Sequence, residues 1–371
     1  MSRPEPARPG FTIAIAGGGI IGLSIAWRLA QGQFRVTIYE KGSIGMEASW
    51  AGAGMLSPGG EIAAPSFLAL LAIESRRLYP AFVNELSRAS GMGIDYQECG
   101  ALELAYSRAE MEMVEARAAA QAELGIDSKP LTPETVGVFC PRVRTSGLVG
   151  ARFYPDDAIV DSREVIAALV TACRHVGVSF ETECAVESLS IEANQAEVRT
   201  AREMRKYDAA VVAAGAWSGS IRVSGVPAIA SSEPIKGQLI GYRQPVQTCN
   251  TVLRRGHNYA LQRGNGLLIV GTSEERVGFD REVSPATTAA LEEAAAFLLP
   301  HLAETSPSEA WVGFRPGSDA LHIGSWHSDR LYLAYGHYRN GILLAPITAE
   351  RIREAIIANL GTCQRARDVL R

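Results

Sequence analysis

Residues Gly17-Gly18-Gly19-Ile20-Ile21-Gly22 carry the G-x-G-x-x-G spacing that can cradle a phosphate. In such a turn Gly17 permits the tight bend, Gly19 lets the backbone approach a pyrophosphate, and Gly22 allows close helix–strand packing. The spacing alone is weak, but its surroundings strengthen it. A short apolar run, 11–16, precedes it, an apolar-periodic run over 21–30 follows, and a β-branched and aromatic run covers 35–39. Glu40 closes that last run, 18 residues beyond Gly22. Strand, glycine turn, helix and strand make a βαβ unit whose parallel strands need helices over the sheet. The helix N-terminus would offer unsatisfied N–H groups to phosphates, and the Glu40 carboxylate would accept ribose hydroxyls. A dinucleotide is therefore predicted, with FAD and NAD sharing the same fingerprint.

Other chemistries have little support. Cysteines 99, 140, 173, 184, 249 and 363 form no C-x-x-C pair, and none stands beside a histidine at metal-ligand spacing. His257, His301, His322 and His327 have no paired ligands at useful spacing, so no metal site is predicted. No Ser/His/Asp or paired-carboxylate signature is present. Lysines are confined to Lys41, Lys129, Lys206 and Lys236, which leaves few candidates for Schiff-base chemistry.

The elements that must position the dinucleotide come from a chain of 371 residues, 47% hydrophobic and 20% charged, with net charge −4. That length suits two domains with real cores, and the balance excludes disorder, collagen-like repeats and coiled coil. The charge gives no basic footprint for nucleic acid and no polybasic membrane anchor. The apolar stretch 13–27 is interrupted by Gly17, Gly18, Gly19 and Gly22, which argues against a membrane span. The Pro/Arg-rich residues 1–10 read as a flexible tail without a signal peptide. Reduced cysteines and a cytoplasmic location are expected.

Helices are predicted over 65–90, 108–124, 163–175, 286–302 and 348–359. Strands are predicted over 101–105, 178–181, 186–191, 197–200, 208–214, 237–242, 258–262, 267–271 and 331–335. The predicted fold is α/β: a discontinuous Rossmann-like dinucleotide domain (11–85, 146–226 and 311–371) with an inserted α+β substrate domain (86–145 and 227–310) on an antiparallel sheet.

After Glu40 comes a run of small residues, Lys41 to Leu56, with little core volume and a backbone suited to a large flat ligand. Its Ala-Ser-Trp-Ala-Gly-Ala-Gly-Met-Leu end, joined to the glycine turn and Glu40, resembles the start of the D-amino-acid oxidase superfamily of flavoproteins. Gly313-Phe314-Arg315-Pro316-Gly317-Ser318-Asp319 adds to the resemblance. The segment Gly336-His337-Tyr338-Arg339-Asn340-Gly341-Ile342-Leu343-Leu344-Ala345-Pro346 is similar to the C-terminal flavin loop of glycine oxidases, which serve thiamine thiazole synthesis.

The resemblance implies non-covalent FAD, contacted by Ile20, Ile21, Glu40, Lys41, Ala48, Ser49, Ala53, Gly54 and Met55. Val186 would touch the adenine side, Gly215 would form a second glycine turn, and His337, Tyr338, Arg339, Asn340, Gly341, Ile342 and Leu343 would wrap the isoalloxazine ring. It further implies Arg315 as the carboxylate clamp of an amino-acid substrate, with Arg339 and the Tyr259 hydroxyl beside it. A guanidinium suits that task because its planar fork binds both oxygens and keeps its charge. The implied reaction is hydride transfer from the substrate α-carbon to flavin N5, with no protein acid or base. The imine then hydrolyses to a 2-oxo acid and ammonia, and oxygen is reduced to hydrogen peroxide. Glycine is the implied substrate, with sarcosine or small D-amino acids as further ones. The alternative is a flavin-dependent D-amino-acid or amine dehydrogenase on the same fold, passing electrons to another carrier. The family also implies a homo-oligomer, a tetramer, and thiazole synthase as a partner. Glu274 stands where some glycine oxidases have an apolar residue, and the sequence leaves open whether it faces the pocket or solvent.

Overall fold

The computed structural model describes residues 10–62 and 64–369, without the side chains of residue 61 and of residues 361–369. Nearly all of the predicted tail, and the Cys363 side chain, therefore lie outside the described residues.

The predicted βαβ unit is present as β1 (Thr12–Ala16), α1 (Ile20–Gln31) and β2 (Arg35–Tyr39), with β1 and β2 parallel. β1 is apolar almost throughout because a central parallel strand is covered on both faces. A six-stranded sheet follows in the order 322–325, 331–335, 209–212, β1, β2, 179–181, parallel except for its first strand. Gly17 has φ +112°, and a Cβ at Gly22 would strike the Gly17 carbonyl oxygen. Gly22 therefore brings α1 against the turn itself.

An eight-stranded sheet makes the second layer, in the order 309–317, 233–243, 267–271, 258–262, 252–255, 101–105, 150–154, 129–131. Its neighbours are antiparallel except for the parallel pair 252–255 with 101–105. Two sequence-drawn boundaries cut across this pairing. Strand Glu309–Gly317 straddles the boundary at 311 and pairs along its whole length with Glu233–Arg243, and Gly150–Tyr154 pairs with Ala101–Ala105. The sheet a strand joins is set by partners distant in sequence, which its own apolar pattern does not reveal.

The C-terminal helix also differs from the reading. It spans Gly341–Val369 with Pro346 inside it, whereas the predicted helix covers 348–359. Proline removes the N–H that would bond the carbonyl four residues earlier. That carbonyl, Ile342 O, instead accepts from the Tyr79 hydroxyl at 2.7 Å, and Leu343 O accepts from Ser75 Oγ at 2.6 Å. Both donors lie on the capped helix Phe67–Ser90, which ends at Gly91 with φ +73°.

Arg263, 1% exposed, ties the two layers together. Its Nη1 lies 3.0 Å from Asp161 Oδ1, and its Nη2 donates to Gly52 O at 3.0 Å and Ala53 O at 3.2 Å. Asp161 also caps the helix Ser162–His175 by accepting from the Arg163 and Glu164 N–H groups. Arg263→Met leaves the Asp161 charge buried without its cation. Urea unfolding of the flavin-loaded protein should show a loss of about 3–5 kcal/mol. A loss below about 1 kcal/mol would show that the fold does not depend on this pair.

Candidate active site

A cavity lies between the two large sheets. At one end it is lined by Gly17, Gly19, Ile20, Ile21, Glu40, Lys41, Val186 and Gly215, and along its wall by Ala48, Ser49, Ala53, Gly54 and Met55. Its other end is lined by Tyr259, Arg315, His337, Tyr338, Arg339, Gly341 and Ile342. Gly22, Asn340 and Leu343 do not line it. Gly22 is taken up by packing on the turn, Leu343 is 2% exposed in the core, and Asn340 faces a smaller adjoining cavity with His257 and Arg254.

The dinucleotide end has the chemistry that FAD requires. α1 has no side-chain cap from Gly19 and no acidic residue in its first turn, so its positive end remains available to a pyrophosphate. Ser49 Oγ accepts from the Ile20 N–H at 3.0 Å. The Glu40 carboxylate accepts from the Gly18 N–H at 2.8 Å and the Gly42 N–H at 3.0 Å, which fixes it at the cavity wall. Gly215 has φ +55° and open space where a Cβ would stand. The Lys41 ammonium lies 3.4 Å from the centre of the Trp217 ring, which stacks on Phe279 at 4.5 Å. These residues fit the adenosine and pyrophosphate of FAD.

Period-two alternation on the eight-stranded sheet builds the other end. Leu239 and Tyr259 both pair with Gly271, Gly237 pairs with Gly313, and Arg315 is two residues on from Gly313. These side chains share one face. A Cβ at Gly237 would collide with the Arg315 guanidinium, one at Gly271 would press on the Tyr259 ring, and one at Gly313 would meet Ala51. Glycines thus seat the arginine, the tyrosine and the small-residue wall.

Arg315 donates from Nη2 to Thr272 Oγ1 at 2.7 Å and from Nη1 to Ser273 O at 3.1 Å. Burial, together with the Arg339 charge, pulls its pKa below the ordinary guanidinium value. Arg339 Nη1 is 3.9 Å from Glu274 Oε2. Tyr338 has φ +50° and hydrogen-bonds Glu274 through its hydroxyl, whose pKa burial and that carboxylate push up to about 12. Glu274 is not among the residues that line the cavity but lies at its rim, beside the lining residues Tyr338 and Arg339 and in contact with solvent. Sequence reasoning missed Trp217, Gly237, Thr272 and Phe314, all on the cavity wall. Gly237 stands at the first position of the predicted strand 237–242, and its role comes from its cross-strand partner Gly313.

Trp311 is core, donating from Nε1 to Ala51 O at 2.9 Å. Cys99, Cys140, Cys173, Cys184 and Cys249 carry free thiols. Among the described residues no group of acidic, His or Cys side chains could hold a metal ion, and no helix is long and apolar enough to cross a membrane.

His337 is buried, with Nε2 3.0 Å from Thr348 Oγ1, and burial pulls its pKa down to about 3. The imidazole is neutral in the folded protein at neutral pH. The unfolded chain takes up this proton near pH 6.5, so stability is lost as pH falls from there toward 3. The linkage slope is at most about 1.4 kcal/mol per pH unit, or about 2 kcal/mol between pH 7 and 5. Urea midpoints over that range should fall less in His337→Gln than in the parent protein. Equal acid sensitivity would show that His337 does not titrate between the two states.

The family model for FAD dependent oxidoreductases (DAO) matches residues 12–355. A glycine oxidase of Geobacillus kaustophilus (strain HTA426) is 32% identical over 350 residues, covering 93% of each chain. The bifunctional protein ThiO/ThiG of Synechocystis sp. is 33% identical over 355 residues, covering 93% of this chain and 51% of that one. The crystal structure of glycine oxidase from Geobacillus kaustophilus superposes with a TM-score of 0.88 at 31% identity, covering 94% of this chain and 95% of that one. The chain belongs to the FAD dependent oxidoreductase family, with FAD as its cofactor.

Proposed function

We propose that the protein is an oxidase of glycine, or of a comparably small amino acid such as sarcosine, producing imine, then 2-oxo acid and ammonia, with hydrogen peroxide. The observation that carries this reading is a half-buried guanidinium, Arg315, on the wall of the same cavity that the glycine turn and Glu40 line. When bound, FAD supplies the two-electron acceptor that takes a hydride from the substrate α-carbon and is returned to its oxidised form by oxygen.

The chain's own residues bind and orient. Arg315, held by Thr272 and Ser273, presents a fork to the substrate carboxylate. Arg339 adds a second positive charge and the Tyr259 hydroxyl a polar contact, which together fix the α-carbon's orientation. Gly341 and Ile342 bring the first turn of the C-terminal helix to the wall, where its positive end favours negative charge. His337 is neutral and bonded to Thr348, so it carries no proton to the reaction. Leu239 and Phe314 add apolar side chains to the cavity lining.

The ThiO/ThiG relative supports a further part of the reading: an imine product used for thiamine thiazole synthesis, with thiazole synthase as partner. A cytoplasmic homo-oligomer, as the resemblance implies, completes it.

Oxygen uptake with glycine tests the proposal, with equal peroxide released. Robust flavin reduction without peroxide would instead identify a dehydrogenase passing electrons to another carrier. Arg315→Ala should weaken glycine binding by about 2–5 kcal/mol, read as a raised KM, with the yellow flavin retained. An unchanged KM would show that Arg315 is not the clamp. Glu40→Ala should release flavin on desalting, and full occupancy after that step would remove Glu40 from cofactor binding.

A further inference from the structure

Glu274 takes no part in the proposed reaction, yet its carboxylate stands at the mouth of the site. The segment after strand Leu267–Gly271 crosses that mouth, with Thr272 and Ser273 holding Arg315. Glu274 follows immediately, hydrogen-bonded to the Tyr338 hydroxyl and 3.9 Å from Arg339 Nη1. Its side chain is 46% exposed, so the carboxylate meets both solvent and whatever enters. The Tyr338 hydrogen bond, then the Arg315 and Arg339 charges, hold its carboxyl below the usual range, which keeps it ionised at neutral pH.

The charge count is informative. Two guanidiniums and Glu274 leave one positive charge at the substrate end. A substrate with one carboxylate and its amine in the neutral, reactive form brings that sum to zero. A second carboxylate would make it negative and lie against Glu274, and like charges brought together at a binding site are strongly disfavoured. Resting on the oxidase reading above, the geometry points to Glu274 as a specificity-determining residue that admits amines with one carboxylate and rejects those with two.

Sarcosine and iminodiacetate test this directly, since they differ only by N-methyl against N-carboxymethyl. The readout is the ratio of kcat/KM for iminodiacetate to that for sarcosine, measured on flavin-loaded enzyme. Glu274→Gln keeps the shape and an oxygen acceptor but removes the charge, and should raise that ratio by about tenfold or more. Glu274→Asp keeps the charge and should stay within about threefold of the parent ratio. Because the mouth is half exposed, raising the salt concentration should shrink the parent's discrimination. An unchanged ratio in Glu274→Gln would overturn the proposal. Absence of turnover with either amine would sink the oxidase reading alone, because the same question is answered by binding. Acetate and malonate, followed by their perturbation of the flavin spectrum, should show malonate gaining about tenfold over acetate in Glu274→Gln. Equal gains for both would again overturn the role of Glu274.

Discussion

A half-buried guanidinium whose hydrogen bonds go to neutral oxygens is the constraint on which the rest of the site depends. Arg315 cannot shed its charge, and its hydrogen bonds go to a hydroxyl and a carbonyl. Burying such a group is costly unless an anion joins it. The fold offsets part of that cost locally, through Thr272, Ser273 and the glycine floor at Gly237 that lets the guanidinium lie close to the sheet. The remainder is an attraction for a carboxylate. An amino-acid substrate meets that demand and brings its α-carbon into the cavity in one orientation.

The orientation is useful because the C-terminal ends of the parallel strands and one face of the eight-stranded sheet close around one ligand-sized space. The link is made of small residues and one buried cation. Ala51 fits against Gly313, the carbonyls of Gly52 and Ala53 bond Arg263, and Arg263 in turn pairs with the helix-capping Asp161. Trp50 points away from the cavity, but a bulky residue at Ala51, Gly52 or Ala53 would push the wall into it. Composition that looks like a linker is therefore the inner lining of the site.

What could be read from the sequence follows from which interactions are local. The glycine turn, α1 and Glu40 are legible because turn, helix start and acid lie within one βαβ unit. Most helices and strands were legible from their periodicity. The start of the C-terminal helix was not, because the Tyr79 hydroxyl that satisfies the Ile342 carbonyl beside Pro346 lies 263 residues away. Sheet membership of Glu309–Gly317 and Gly150–Tyr154 was hidden for the same reason. At the candidate site, Arg315, Arg339 and Tyr259 were singled out through family resemblance, since arginines are abundant in this chain. Gly237, Thr272 and Trp217 escaped notice because only cross-strand pairing and stacking bring them to the wall. The side on which Glu274 lies was likewise a matter of geometry.

The central claim is that an amino acid held by Arg315 gives up its electrons inside this cavity. The most direct measurement is anaerobic mixing of the flavin-loaded protein with glycine while the flavin absorption is recorded. The account predicts bleaching of the oxidised flavin band, with recovery when oxygen is admitted. A band that glycine, sarcosine and D-alanine all leave unchanged, on a flavin that dithionite still reduces, would contradict it.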